Sequence, residues 1–153
     1  MTKILMVCLA NICRSPMAEG LLESKLTDKT IQVDSAGTGG YFIDTPPDER
    51  AITVAASHDL DISQKCSRIF TIHDFDDFNI IYVMDKINFN NVMNLAKSEQ
   101  DKAKVILILN EIFPGQDLEV PDPYTGGMNG FRNVYQILDE ACEAIAKKHN
   151  SQN

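Results

Sequence analysis

Two kinds of apolar pattern alternate along the chain. Short apolar runs read as strands covered on both faces, and stretches with apolar residues every three or four positions read as amphipathic helices. Residues 3–8 (KILMVC), 31–35 (IQVDS), the run FNIIYVM within 76–84, and 104–109 (KVILIL) predict four strands. Ser15-Pro16 predicts a helix start, with serine as N-cap and proline at the first helical position. Met17, Ala18, Leu21, Leu22 and Leu26 carry that helix to about residue 27. A second helix is expected from Asp48 to about Ser57, and a third from Ile87 to Ala96 on Val92, Met93 and Leu95. Phe131, Val134, Tyr135, Leu138, Ala141, Cys142 and Ile145 trace one face of a last helix.

Between these elements, Gly37 to Gly40 and then Tyr41 to Pro47 predict an irregular surface loop, and PDPYTGG a second one. The tail HNSQN is expected to fray, with 151–153 beyond a domain that spans residues 1–150. The strand-helix alternation implies an α/β fold: one domain with a doubly wound, four-stranded parallel sheet and helices on both faces. Ligands in such sheets bind beyond the carboxyl ends of the strands, which is where Cys8 stands.

Composition narrows the functional classes. The chain has 153 residues, 44% hydrophobic and 24% charged, as in ordinary globular domains. A net charge of −8 argues against nucleic acid and against an anionic membrane as partners. It leaves room for a local nest of backbone N–H groups that binds phosphate. Cysteines at 8, 13, 66 and 142 form no C-x-x-C pair, and His58, His73 and His149 are scattered, so neither a metal nor any other cofactor is expected. Cys66 and Cys142 read as core thiols. Lys3 followed by Ile4 to Ala10 imitates a secretory signal, but the run leads into Asn11, Cys13 and Arg14 with no small-residue cleavage site. A cytoplasmic protein with reduced thiols is the expectation.

The chemistry concentrates in Cys8-Leu9-Ala10-Asn11-Ile12-Cys13-Arg14-Ser15, between a strand and a helix. Cleaving a phosphate ester through cysteine needs a thiolate, which a helix N-terminus and a nearby cation favour. It needs converging N–H donors for the phosphoryl oxygens, which a short loop before a helix supplies. It needs a planar fork for two equatorial oxygens, which arginine has. Ser15 can donate to the sulfur and so stabilise the departing thiolate. The same residues also fit a buried cysteine ending a strand, with Arg14-Ser15 merely starting a helix. A proton donor for the leaving oxygen is available in Asp122, held between Pro121 and Pro123, although Asp-Pro is also a common turn.

The segment VCLANICRSPMAEG, with DPY far downstream, resembles the low-molecular-weight protein tyrosine phosphatase family. VDSAGT at 33–38, GY…TPPDER at 40–50, YVMD at 82–85 and PDPY at 121–124 extend the resemblance across the domain. It implies hydrolysis of phosphotyrosine or aryl phosphate monoesters, on proteins or small molecules, through a cysteinyl-phosphate. Cys8 would be the nucleophile and Arg14 the phosphate clamp. Asp122 would be the acid in the first step and the base in the second. Leu9, Ala10, Asn11, Ile12, Cys13 and Ser15 would form the phosphate-binding loop, supported through Asn11, Ser15 and Ser35. Tyr41 and Tyr124 would flank the mouth, and Cys13 would be a redox partner of Cys8. A monomer is expected. Ala10 stands where the family usually carries glycine, which implies strain if φ there is positive. Lys65 falls near where the family often carries a histidine of the supporting network, and Thr125 follows Tyr124 where some members have a second tyrosine.

Three rivals fit less well. An arsenate reductase of this fold needs two further cysteines in a mobile segment, and the stretch around 80–92 has none. A non-hydrolytic cysteine phosphocarrier or phosphate-binding module has no use for Asp122 or an aromatic mouth. A general thiol oxidoreductase would want C-x-x-C.

Overall fold

A computed structural model of the protein describes residues 1–150, so the expected tail at 151–153 lies outside the described residues. Four parallel strands, β1 (Lys3–Cys8), β2 (Gln32–Gly37), β3 (Ile80–Val83) and β4 (Val105–Leu107), are ordered β2-β1-β3-β4. Among the described residues six helices accompany them: α1 (Arg14–Lys25), α2 (Glu49–Ala56), α3 (Asp74–Asp77), α4 (Lys86–Leu95), α5 (Glu99–Ala103) and α6 (Met128–Asn150).

Strand periodicity divides the core in two. Ile4, Met6 and Cys8 of β1 point to the face covered by α1, α2 and α6, and pack with Met17, Leu22, Phe131 and Leu138. Leu5 and Val7 point to the other face, against Phe75 of α3 and Val92 of α4. Sequence positions that alternate in direction are therefore apolar on both sides, which produces the unbroken run at residues 3–8. Cys8, at the end of that run, inherits the α1 side of the sheet.

Several boundaries differ from expectation for definite reasons. Ser15 is not an N-cap: α1 begins at Arg14, two residues before the expected first helical position at Pro16, and the Ser15 hydroxyl is occupied by Asn11 and Cys8. Pro16 falls in the first turn, where its missing N–H would have no helical acceptor in any case. Asp48 does cap α2, accepting from the Arg50 N–H. The fourth strand stops at Leu107, and Ile108–Glu111 form a 3-10 turn. Ile108 and Leu109 remain buried in that turn, so the apolar run records burial and not ladder pairing. The four-residue helix α3 precedes β3 where 76–84 suggested strand. Helix α5 buries nothing and so carries no apolar period.

The C-terminal end also departs from expectation. His149 and Asn150 are helical and not frayed; His149 is buried, and Asn150 Oδ1 accepts from the Thr27 N–H and hydroxyl. Among the described residues no helix is long and apolar enough to cross a membrane.

Candidate active site

The loop from Leu9 to Cys13 leaves the carboxyl end of β1 and enters α1, and it forms the floor of a cavity of about 290 Å³. Cys8, Leu9, Ala10, Ile12, Cys13 and Arg14 contribute to this floor; Tyr41, Phe42, Asp122 and Tyr124 line the rest. The first-turn N–H groups of α1 have no helical acceptors and carry the positive end of its dipole, so they favour an anion there.

The loop is shaped by one amide. Asn11 occupies the left-handed region at φ 60°, which asparagine tolerates better than most residues. Its backbone N–H lies 3.3 Å from Cys8 Sγ. Its Nδ2 donates one hydrogen to Ser15 Oγ at 2.6 Å and the other to Ser35 Oγ at 2.9 Å. Its Oδ1 accepts from the Arg68 N–H at 3.0 Å. Because Ser15 Oγ accepts from Asn11, its own hydrogen is free for Cys8 Sγ, 3.0 Å away. The strain expected at Ala10 does not arise, since the left-handed residue is its neighbour Asn11.

Behind Asn11 the network continues. Ser35 donates to Glu19 Oε1 at 2.5 Å, and Lys65 Nζ reaches Glu19 Oε2 and Glu23 Oε1, each at 2.7 Å. Burial pushes the Glu19 carboxyl up, opposed by its hydrogen bonds from Lys65 and Ser35. Lys65 thus stands in the supporting network, as an ammonium paired with two carboxylates. Glu19 escaped the sequence reading; its signal was a carboxylate four residues after Ser15 on a helix that otherwise buries its face.

Arg14 is 2% exposed. Its Nη1 donates to Asp85 Oδ2 at 2.7 Å and to the Val120 carbonyl at 2.9 Å, and Nη2 stands 3.7 Å from Asp122 Oδ2. Burial opposes its charge, but Cys8, Asp85 and Asp122 outweigh that cost and hold the guanidinium above its ordinary value. Asp85 was not singled out from sequence as a site residue. Its signal was an acid at the end of a buried strand and the start of a helix, the position of an N-cap.

Asp122 is half-exposed, and its Oδ1 accepts from the Tyr124 N–H at 3.0 Å. Tyr41 and Tyr124 are exposed at the mouth, and Thr125 is exposed beside them. Cys13 is buried. Burial first, then the charges of Asp48, Cys8 and Asp122, push its thiol up. Cys142 is a core thiol as expected, whereas Cys66 is exposed: it falls in the irregular segment between α2 and α3, where no apolar face covers it. Among the described residues no group of three or more His, Cys, Asp and Glu side chains is placed to hold a metal ion.

A family model described as low molecular weight phosphotyrosine protein phosphatase matches residues 3–153. The human low molecular weight phosphotyrosine protein phosphatase is 36% identical over 149 residues, covering 95% of this chain and 94% of the human one. PtpA of Staphylococcus saprophyticus, a low molecular weight protein-tyrosine-phosphatase, is 33% identical over 148 residues, covering 95% of this chain and 92% of its own. Among solved structures, the protein tyrosine phosphatase of Entamoeba histolytica with Hepes in its active site superposes with a TM-score of 0.90 at 34% identity, covering 99% of both chains. Vibrio vulnificus Wzb in complex with benzylphosphonate gives 0.86 at 33% identity, over 96% of this chain and 98% of that one.

Proposed function

We propose how this chain, which belongs to the low molecular weight phosphotyrosine protein phosphatase family and is a protein tyrosine phosphatase, uses its own residues. Cys8 Sγ attacks phosphorus in line while the loop N–H groups and the Arg14 fork hold the equatorial oxygens. Asp122 gives its proton to the departing phenolic oxygen, leaving a cysteinyl-phosphate and an Asp122 carboxylate. That carboxylate then takes a proton from the water that attacks phosphorus. The S–P bond breaks, inorganic phosphate leaves, and the Ser15 hydroxyl stabilises the Cys8 thiolate as it departs.

One observation carries this reading. Cys8, Arg14 and Asp122, from a strand end, a helix start and a distant loop, line the same cavity. Tyr41, Phe42 and Tyr124 add an aromatic wall that suits the ring of phosphotyrosine. Serine phosphate is shorter and offers no ring to that wall.

Regulation and setting follow from the same residues. Cys13 shares the cavity with Cys8, which supports its capture of an oxidised Cys8 as a disulfide: peroxide converts the Cys8 thiolate to a sulfenic acid, and Cys13 sulfur displaces water. Four free cysteines and a mechanism that needs a reduced Cys8 support a cytoplasmic setting. One chain supplies the whole cavity, which supports action as a monomer.

Cys8→Ser should abolish turnover yet retain phosphate binding. Asp122→Asn should slow phenyl phosphate by about 10²- to 10⁴-fold and dinitrophenyl phosphate much less. Residual turnover above a few per cent in Cys8→Ser, or equal losses across leaving groups in Asp122→Asn, would remove the covalent or the acid role respectively.

A further inference from the structure

We propose that Arg50 is a positioning residue for the general acid, clamping the loop that carries Asp122 to the helix that backs the phosphate loop; this rests on Asp122 acting as the acid. Arg50 lies in the first turn of α2. Its guanidinium makes two contacts with the N-cap carboxylate, Nε to Asp48 Oδ1 at 3.0 Å and Nη2 to Asp48 Oδ2 at 2.9 Å. The backbone N–H of Asp48 donates to the Ile12 carbonyl at 2.8 Å, so this anchor is tied directly to the phosphate loop. The guanidinium also lies over the Phe131 ring, 4.4 Å from its centroid, and 5.7 Å from that of Tyr124.

With one edge committed to Asp48, the guanidinium spends its outer hydrogens on the acid loop. Nη2 donates to the Tyr124 carbonyl at 3.0 Å and Nη1 to the Gly126 carbonyl at 2.8 Å. Tyr124 is the residue whose N–H grips Asp122 Oδ1 at 3.0 Å. The path from anchor to acid is therefore four steps: Ile12 carbonyl, Asp48, Arg50, Tyr124, and then the Asp122 carboxylate. Beyond Val120, whose N–H bonds the Met84 carbonyl, the hydrogen bonds that tie residues 121–126 to the rest of the fold, among the described residues, are the two from Arg50. A half-exposed carboxylate on a loop needs such a tie to hold its proton at a fixed distance from the leaving oxygen. Lysine cannot replace it fully, because one ammonium cannot face Asp48 and two carbonyls while lying flat on Phe131.

The test is kcat/KM across aryl phosphates from dinitrophenyl to phenyl phosphate, for wild type, Arg50→Ala, Arg50→Lys, Asp122→Asn and Arg50→Ala/Asp122→Asn. Arg50→Ala should lose about tenfold on phenyl phosphate and under about threefold on dinitrophenyl phosphate, since only a misplaced acid penalises poor leaving groups selectively. Arg50→Lys should fall between wild type and Arg50→Ala. In the Asp122→Asn background the Arg50→Ala change should cost less than about twofold, because the acid it positions is gone. A uniform loss across the series, or losses that multiply in the double variant, would overturn the proposal and leave Arg50 a stabilising residue. A steep series in Asp122→Asn beside a flat one in Arg50→Ala overturns the Arg50 role alone. A flat series in Asp122→Asn brings down the acid reading and this one with it. Should Arg50→Ala fail to fold, Arg50→Lys, whose stem still covers Phe131, is judged by the same series.

Discussion

Asp85 performs two tasks with two oxygens, and substitutions can separate them. Oδ1 caps α4 by accepting from the Asn88 N–H at 2.8 Å, and Oδ2 accepts from Arg14 Nη1 at 2.7 Å. Serine at this position keeps a cap and loses the guanidinium bond, whereas alanine loses both. The cap is worth about 1 kcal/mol. Stripping a buried charge of its partner costs about 3–5 kcal/mol. Here the Asp85 side chain is 17% exposed, and Arg14 keeps the Val120 carbonyl, so a loss of about 2 kcal/mol, typical of a charged hydrogen bond, is the better figure. Asp85→Ala should therefore lose about 3 kcal/mol and Asp85→Ser about 2 kcal/mol. For a chain of this size the alanine variant should melt roughly 6–12 °C lower. Turnover should drop alike in both, by about 10- to 100-fold, because the fork is no longer aimed. Urea melts give the stabilities, and nitrophenyl phosphate hydrolysis gives kcat. A folded Asp85→Ser with kcat within twofold of wild type would show that the Val120 carbonyl and packing alone aim Arg14. Equal stabilities for the two variants would remove the capping role.

Gly37→Ala should injure the phosphate loop from behind. Its Cβ would stand 2.8 Å from the Leu9 carbonyl oxygen and 3.0 Å from the Ala10 carbonyl carbon, neither of which can rotate away. A stability loss of about 1–3 kcal/mol and a rate loss of about tenfold are expected, and wild-type values in melts and assays would show that the loop yields freely. Asp48 supplies a pH test. The hydrogen bond from Arg50 holds its folded carboxyl below the ordinary range despite burial. Its contribution is therefore complete above the unfolded carboxyl pKa and is lost as pH falls through the lower folded one. Thermal melts from neutral to about pH 3 should fall less steeply for Asp48→Asn than for wild type; parallel curves would refute the linkage.

The succession of the four strands with helices α1, α2, α4 and α6, the two-faced burial of β1, and the placement of a cysteine, an arginine and a serine at one strand-to-helix turn were legible in the residues, whereas α3 and α5 were not. Each legible feature is a local property: period two against period three to four, and the chemistry that a given side chain can perform. The sequence also pointed to Asp122, through its neighbouring prolines and through the resemblance, but not to what holds it. Helix ends were read less well. Ser15-Pro16 has the composition of a helix start, yet Asn11 draws the Ser15 hydroxyl inward to Cys8, and the helix begins at Arg14. His149 and Asn150, polar and near the chain end, stay helical because Asn150 bonds Thr27 and the Lys25 carbonyl.

What the sequence could determine by itself was the set of reactive groups and the sheet end on which they gather, since both follow from side-chain chemistry and hydrophobic period. What only the tertiary structure decided was which distant groups complete them. Asp85 meets Arg14 because parallel pairing of β1 with β3 brings the ends of those two strands side by side. Glu19 and Lys65 meet behind Ser35, and Arg50 meets the carbonyls of Tyr124 and Gly126, through bonds between segments far apart in the chain. Such contacts depend on strand order and helix packing, and no local periodicity encodes which polar residue will face which across the folded core.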